Sequence, residues 1–344
     1  MNSLLNPTIS VVIPVYNVER YIRETLDSVF AQTLQDFEII IVDDESPDRS
    51  IEICQSYQDP RIRIVHQKNR GLAGARNTGI RNSCGKYIAL LDSDDLWLPE
   101  KLEYHLKHLE SNPEVGVSFC RSAFIDDNSK PLDIYQMPKL TGIDAVHIFC
   151  RNPISNGSVP VFRREVLEAI KFEDNLQGQP EDNYFDEHFH QSEDIECWMR
   201  IALQTQWQIE GIPEALTLYR VNSTGLSAHV EAQLASWEMM VEKTRTYAPE
   251  FVSQWESLAR AYQYRYLARR AIRNRDGQTA VQLINKSLQQ NWHILTEETP
   301  RTLITITAAY IIYLIPQKLY LYLEKIAIQL ISKSQKNTIY RAKQ

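Results

Sequence analysis

Residues 85–100, GKYIALLDSDDLWLPE, constrain the fold more than any other stretch of the 344-residue chain. Tyr87-Ile88-Ala89-Leu90-Leu91 reads as a buried strand ending in three carboxylates, Asp92, Asp94 and Asp95, before Pro99 opens a helix. Strands that alternate with helices build open α/β sheets, whose ligands bind beyond the carboxyl ends of the strands. Three acids within four residues repel one another unless water or a cation neutralises them. Hard oxygen donors too few to close a cage suit Mg²⁺ or Mn²⁺ shared with a phosphorylated ligand; the alternative is a solvated acidic turn.

The same pattern recurs upstream. Ile9-Ser10-Val11-Val12-Ile13-Pro14-Val15-Tyr16-Asn17 is a β-branched run, and Tyr21, Ile22, Leu26, Val29 and Phe30 then recur at helical spacing within 19–32. Phe37 to Val42 is a second strand, ending in Asp43-Asp44-Glu45-Ser46-Pro47-Asp48 ahead of a helix through Ile51, Ile53 and Cys54. Arg61 to His66 is a third. Small residues from Gly71 to Gly79 follow on what reads as a helix, its glycines permitting close approach to the sheet or a ligand. Four strand–helix units in about 100 residues imply an α/β fold with a doubly wound, mostly parallel sheet and both acidic clusters facing one crevice.

The ordered segments SVVIPVYN, FEIIIVDDESPDRS, NRGLAGARNTGI, KYIALLDSDD and Ser192-Glu193-Asp194 resemble the motifs of inverting family 2 glycosyltransferases of the GT-A fold, over residues 8–227. The resemblance implies transfer of one sugar from a nucleoside-diphosphate sugar, UDP- or dTDP-linked, to a hydroxyl of a glycan or lipid-linked acceptor in cell-surface polysaccharide synthesis. It assigns Pro14, Tyr16 and Asn17 to the nucleotide pocket, with Tyr16 stacking near the base, and gives Asp44 the base N3–H. Arg70, or else Arg76, approaches the nucleotide or its diphosphate. Asp92 and Ser93 fall on the ribose or sugar side, and Asp94 on Mg²⁺ or Mn²⁺. Asp95 stays open between an extra ligand and a helix N-terminal acid beside Leu96.

His190 to Ala202 reads as a helix that Ser192 caps, with Ile195, Trp198, Met199 and Ala202 on its buried side. Glu193 and Asp194 then lie in the first turn, where the helix dipole favours carboxylates in any protein. By resemblance, Asp194 is the base that takes the acceptor's proton as its oxygen attacks the anomeric carbon opposite the diphosphate. No Q-x-x-R-W motif follows, so single addition is expected rather than processive synthesis. Leu216 to Ser227 resembles the Y-R-x-H-x-x-S-x-S segment of single-addition enzymes, with Asn222 in place of the common histidine and with Arg220 and Ser227 as diphosphate contacts. The acidic segment Asp182 to His190, carrying His188 and His190, is either a flexible acceptor loop or a second metal site.

The chain reads as a GT-A catalytic domain at 1–228, a helical appendage at 229–300 and a basic tail at 301–344. A net charge of −7 argues against general nucleic-acid binding. Cys54, Cys84, Cys120, Cys150 and Cys197 show no paired spacing and suit reduced, packed thiols in the cytoplasm. Met1 to Pro7 has no basic stretch before a long apolar core, so no secretory signal is expected. In the tail, Leu303 to Ile315 is almost wholly apolar but too short to span a bilayer, which takes about 20 residues. Residues 301–344 hold seven Lys or Arg against Glu324 alone, which suits helices on the anionic cytoplasmic face of the plasma membrane; a buried hairpin or dimer contact is the competing reading. Two other functions stand beside the transferase. A sugar-nucleotide nucleotidyltransferase would want a glycine-rich phosphate loop after the first strand, where Pro14-Val15-Tyr16-Asn17 offers none. A catalytically silent nucleotide-binding partner would bind UDP with Mn²⁺ and transfer nothing.

Overall fold

Alternation of buried strands with short helices builds the first half of the chain, as described by a computed structural model over residues 7–221 and 230–342. Strands β1 (Ile9–Val15), β2 (Phe37–Asp43), β3 (Ile62–His66) and β4 (Tyr87–Leu90) are joined by helices α1 (Ile22–Phe30), α2 (Ser50–Gln55) and α3 (Gly71–Arg81). They lie side by side in the order β3-β2-β1-β4, all parallel. β1 is buried at every position, as expected of a central parallel strand covered on both faces. α3 rests directly on it: a Cβ at Gly79 would come within 2.1 Å of Val12 Cγ1, so only glycine lets the helix sit this close.

Beyond β4 the chain forms β5 (Leu96–Trp97), α4 (Lys101–Ser111), β6 (Val115–Ile125), β7 (Pro131–Gln136), α5 (Ala145–Cys150), β8 (Val161–Arg163) and α6 (Arg164–Ile170). A short hairpin of β9 (Phe172–Asp174) and β10 (Glu181–Asn183), then α7 (Glu193–Gln204) and β11 (Gln208–Arg220), complete this part. β8 is antiparallel to both β4 and β6, β6 and β11 are parallel, and β5 and β7 are antiparallel edges, making one mixed nine-stranded sheet. The doubly wound, mostly parallel layout expected from the sequence is present, followed by a helical C-terminal region. α4 begins at Lys101, two residues after Pro99.

The chain divides into two compact units, one of Met1–Ile143, Pro153–Asn222 and Gln335–Gln344, the other of Asp144–Asn152 and Ser223–Ser334. The second contains α5, α8 (Val230–Tyr247), α9 (Pro249–Arg273), α10 (Gly277–Gln290), α11 (Ile294–Glu297), α12 (Thr299–Leu314) and most of α13 (Gln317–Ala342). Its core combines Phe149 packed on Trp237 and Phe251 with a cluster of Leu267, Ala271, Ala280, Ile284 and Ala309. Asp276 caps α10 by accepting from the Thr279 N–H at 3.0 Å. Among the described residues no helix is long and apolar enough to cross a membrane. All five cysteines are free thiols, four buried and Cys84 exposed, so Cys84 departs from the packed environment expected of it.

Candidate active site

The strand ends deliver the expected residues to one rim. Pro14 lies within β1, Tyr16 just past it is 49% exposed, and Asn17 adopts a left-handed conformation with its N–H donating to Ser46 Oγ at 2.9 Å. Asp44 follows β2 and is buried. Its carboxylate accepts from Gln67 Nε2 at 2.6 Å and from the backbone N–H groups of Arg70 at 2.8 Å and Gly71 at 2.9 Å. It thereby satisfies orphan donors at the start of α3. A carboxylate has about four acceptor positions, so about one remains beyond these three donors.

Asp92, Ser93, Asp94 and Asp95 leave β4 together. The Asp92 N–H donates to Ser158 Oγ at 2.9 Å, and its Oδ1 accepts from Arg76 Nη2 at 2.7 Å. Ser93 is buried, with its carbonyl accepting from Thr25 Oγ1. Asp94 is half-buried; desolvation first, and then the Asp92 charge, push it up to about 6, while Arg220 acts against the rise. Asp95 is fully buried, and desolvation with the charges of Asp94 and Asp92 raises it well above the usual carboxylate range. It accepts from the Arg220 N–H at 2.8 Å and from Asn156 Nδ2 at 2.7 Å, so it ties β11 and the 156–158 turn to the triplet. It precedes a strand, β5, and is therefore no helix N-terminal acid.

The two candidate arginines have different surroundings. Arg70 donates to Glu187 through Nε at 3.0 Å and Nη2 at 2.7 Å, and to Glu181 at 2.8 Å, which occupies the side chain expected at the nucleotide. Arg76, fully buried on α3, bridges Asp92 to Glu193 Oε1 at 2.8 Å. This one guanidinium links the D-x-D triplet to the first turn of α7, across 117 residues of sequence. Asp94 and Asp194 are each engaged as well: Asp194 Oδ1 accepts from the Ile195 N–H at 2.7 Å.

Three expectations are corrected. Ser192 makes no capping bond, because it adopts a left-handed conformation at the start of α7. On that helix Trp198 and Met199 are buried as expected, but Ile195 and Ala202 are only partly so, and the buried Glu196–Arg200 ion pair at 2.8 Å occupies space the apolar pattern did not assign. The 182–190 segment is anchored instead of flexible at its centre: Asn77 Oδ1 accepts from the N–H groups of Tyr184 and Phe185, and its Nδ2 donates to the Phe185 carbonyl and Glu187. His188 meets Asp186 at 2.8 Å, and among the described residues no group of three or more His, Cys, Asp or Glu stands ready to hold a metal alone.

Arg220 also departs from its expected contact. Its side chain is wholly buried, donating from Nε to the Asp94 carbonyl at 2.7 Å and from Nη1 to the Asp126 carbonyl and Ser129 Oγ at 3.0 Å, with its guanidinium over Tyr21. It positions Asp94 from behind. Asn222 and Ser227 lie outside the described residues. Of seven described non-glycine residues with positive φ, four flank this rim: Asn17, Glu45, Ser155 and Ser192. Such conformations cost about 1 kcal/mol each and persist where surrounding structure imposes them, commonly at functional sites.

Glu187, Asn77 and Ser158 carry no motif that marks a role, and Arg76 stands behind Arg70 in the motif. One signal was available for Arg76, an arginine among Ala73, Gly74, Ala75 and Gly79 on a helix face too small-sided for solvent. A buried guanidinium needs acids, and Asp92 and Glu193 lay in motifs already recognised.

The fold is shared with solved nucleotide-sugar enzymes. The mannosyltransferase PcManGT from Pyrobaculum calidifontis, solved with GDP-Man and Mn²⁺, superposes with a TM-score of 0.56 at 20% identity, covering 90% of this chain and 86% of that one. S. aureus TarS 1–349, solved with UDP-GlcNAc, gives 0.52 at 18% identity over 98% and 92% of the two chains. These likenesses establish the GT-A-type fold. The profile described as "Glycosyl transferase family 2" matches residues 10–171. An uncharacterized glycosyltransferase of Methanocaldococcus jannaschii is 30% identical over 220 residues, 62% of this chain and 71% of that protein. The chain belongs to glycosyl transferase family 2. An uncharacterized glycosyltransferase of Rickettsia felis is 36% identical over 62% of this chain, which spans only about a third of that protein's length (33%).

Proposed function

We propose that this chain is a metal-dependent, inverting, non-processive glycosyltransferase that moves one sugar from a UDP- or dTDP-linked donor to a hydroxyl of a glycan or lipid-linked acceptor. The observation that carries the reading is the Arg76 bridge from Asp92 to Glu193, since it holds the acids of a donor site against the turn that bears the base candidate. Tyr16 offers an exposed ring at the β1 end, and the acceptor position left on Asp44 suits a uracil or thymine N3–H.

The acid pair fits a divalent cation. Burial first and the neighbouring Asp92 charge second raise the proton affinity of Asp94, and a hard cation would stabilise its ionised form. Asp94 would hold Mg²⁺ or Mn²⁺, which when bound neutralises the charge growing on the leaving diphosphate. Arg220 holds the Asp94 backbone in place from the buried side. Arg76 pairs with Asp92 and Glu193, and Arg200 with Glu196; of the acids in the first turn of α7, Asp194 is the one assigned the acceptor's proton. Attack from the face opposite the diphosphate inverts the anomeric centre without a covalent intermediate. A lipid-linked acceptor would put this reaction at a membrane surface.

The test has two parts. Thermal-shift titration with UDP-, dTDP- and GDP-sugars, with and without Mn²⁺, is expected to raise the melting temperature most with a UDP or dTDP donor plus metal. Asp194→Asn is expected to keep that shift and to cut transfer by about 10²- to 10⁴-fold. Wild-type turnover in Asp194→Asn removes Asp194 from the mechanism, and donor binding without transfer by the native chain favours the silent partner.

A further inference from the structure

The segment that follows the acid triplet turns back to hold it. Lys101, the first residue of α4, is wholly buried, as lysine almost never is without partners. The three N–H bonds of its ammonium meet three acceptors: the Val159 carbonyl at 2.7 Å, His105 Nε2 at 3.2 Å and Cys120 Sγ at 3.4 Å. With His105 Nε2 accepting, Nδ1 carries that ring's proton and donates to Ser118 Oγ at 2.7 Å, and Ser118 in turn meets His108 Nδ1 at 2.8 Å. Trp97 on β5 is buried beside the lysine, its ring centroid 5.2 Å from Nζ, and its indole Nε1 donates to the Ser158 carbonyl at 2.9 Å. Desolvation pulls the Lys101 pKa below the ordinary lysine value, with Cys120 and Asp95 acting against the fall.

The two carbonyls belong to the turn that grips the triplet. Ser158 Oγ accepts the Asp92 N–H at 2.9 Å, and Asn156 Nδ2 donates to Asp95 Oδ2 at 2.7 Å. The contacts therefore close a ring: the chain runs from the triplet to Trp97 and Lys101, these bind the carbonyls of residues 158 and 159, and the same turn returns to Asp92 and Asp95. Asp94 lies between the two acids so held. A lysine that only filled the core could give way to an apolar chain of similar volume without consequence for the site. Here its shortest bond goes to the turn, 58 residues away in sequence.

We propose that Lys101, with Trp97, is a positioning residue of the donor site: together they hold the Val159 and Ser158 carbonyls and so fix the turn that sets Asp92 and Asp95 on either side of Asp94. Divalent cations such as Mg²⁺ demand ligand oxygens at near-ideal positions, and a constellation of ligands must be held to within about 0.5 Å by the groups behind it. The role rests on the reading of Asp94 as a metal ligand, and its test measures binding and stability instead of transfer.

UDP, dTDP and GDP are each added to the full-length protein, and the Mn²⁺ concentration that half-saturates the rise in melting temperature is measured with the most stabilising of them. Lys101→Met and, separately, Trp97→Phe are expected to raise that concentration at least roughly tenfold, the usual cost of removing a group that orients metal ligands. The ligand-free melting temperature of Lys101→Met should stay level or rise, since an apolar chain then replaces a buried ion. Ser118→Ala breaks the far end of the same network without releasing the turn, so it is expected to lower the melting temperature and keep the native Mn²⁺ requirement. A native requirement in Lys101→Met overturns the proposal, as does a Ser118→Ala requirement raised as far as that of Lys101→Met, which would mark general loosening of the core. Where Lys101→Met does not fold, Trp97→Phe, which keeps an aromatic ring, decides by the same criterion. Native protein that no nucleoside diphosphate stabilises with Mn²⁺ removes the donor reading itself, and this role with it.

Discussion

Helices α3 and α12 break the usual amphipathic rule in opposite directions. α3 buries Arg76 and Asn77, which a helix ordinarily turns to solvent, and each finds partners: Asp92 and Glu193 for one, the 183–187 backbone for the other. α12 exposes Leu303, Ile304 and Leu314, which a helix ordinarily buries, and among the described residues of its own unit nothing covers them. Burial of a charge is costly unless it is paired, so the interior of α3 reports a site assembled from distant segments. Exposure of apolar surface costs little by itself and reports a face that something outside the fold can cover. The first anomaly is resolved within one unit, and the second is not resolved among the described residues of the other.

The contrast can be broken at its strongest point. Arg76→Ala leaves Asp92 and Glu193 without their cation, and removing one partner of a buried ion pair is expected to cost about 3–5 kcal/mol. Urea unfolding measures this, and a loss below about 1 kcal/mol would mean that water replaces the guanidinium between Asp92 and Glu193. A smaller perturbation acts on the same group from outside. A Cβ at Gly157 would lie 2.1 Å from Arg76 Nη2 and 2.6 Å from its Cζ, so Gly157→Ala is expected to displace the guanidinium and cost about 1–3 kcal/mol through overpacking. Transfer activity should fall with it, and a variant of native stability and native activity would show that the 156–158 turn yields without moving Arg76. The smallest effect belongs to the other helix. Leu314→Ser, at 70% exposure, is expected to change unfolding free energy in lipid-free buffer by no more than about 0.5 kcal/mol. A loss of 2 kcal/mol or more would mean the face is already covered in solution.

Much of the fold was legible because its signals are local. β-branched runs, acids at strand ends and the spacing of Ile22, Leu26 and Val29 all act within one element. Residue types at the candidate site were legible in the same way, since Asp44, Asp92, Asp94 and Asp194 stand at element ends that the pattern locates. Their partners were not. Ser192 was a plausible cap by type, yet its left-handed backbone turns the hydroxyl away from that use. Arg220 carried the motif of a diphosphate contact and is instead consumed by the Asp94 and Asp126 carbonyls.

What the sequence by itself determined is the order of elements and which acids end them, because side-chain period and turn chemistry are properties of a few neighbouring residues. Only the tertiary structure decided that Arg76 and not Arg70 meets the D-x-D acids. The two arginines are six positions apart on one short segment, and the choice between them rests on Glu187, Glu181 and Glu193, more than 100 residues away. It likewise decided that α12 packs on its threonines: a stripe apolar on every side carries no record of which side the core will take, and the neighbouring helices α9 and α10 chose it by fit.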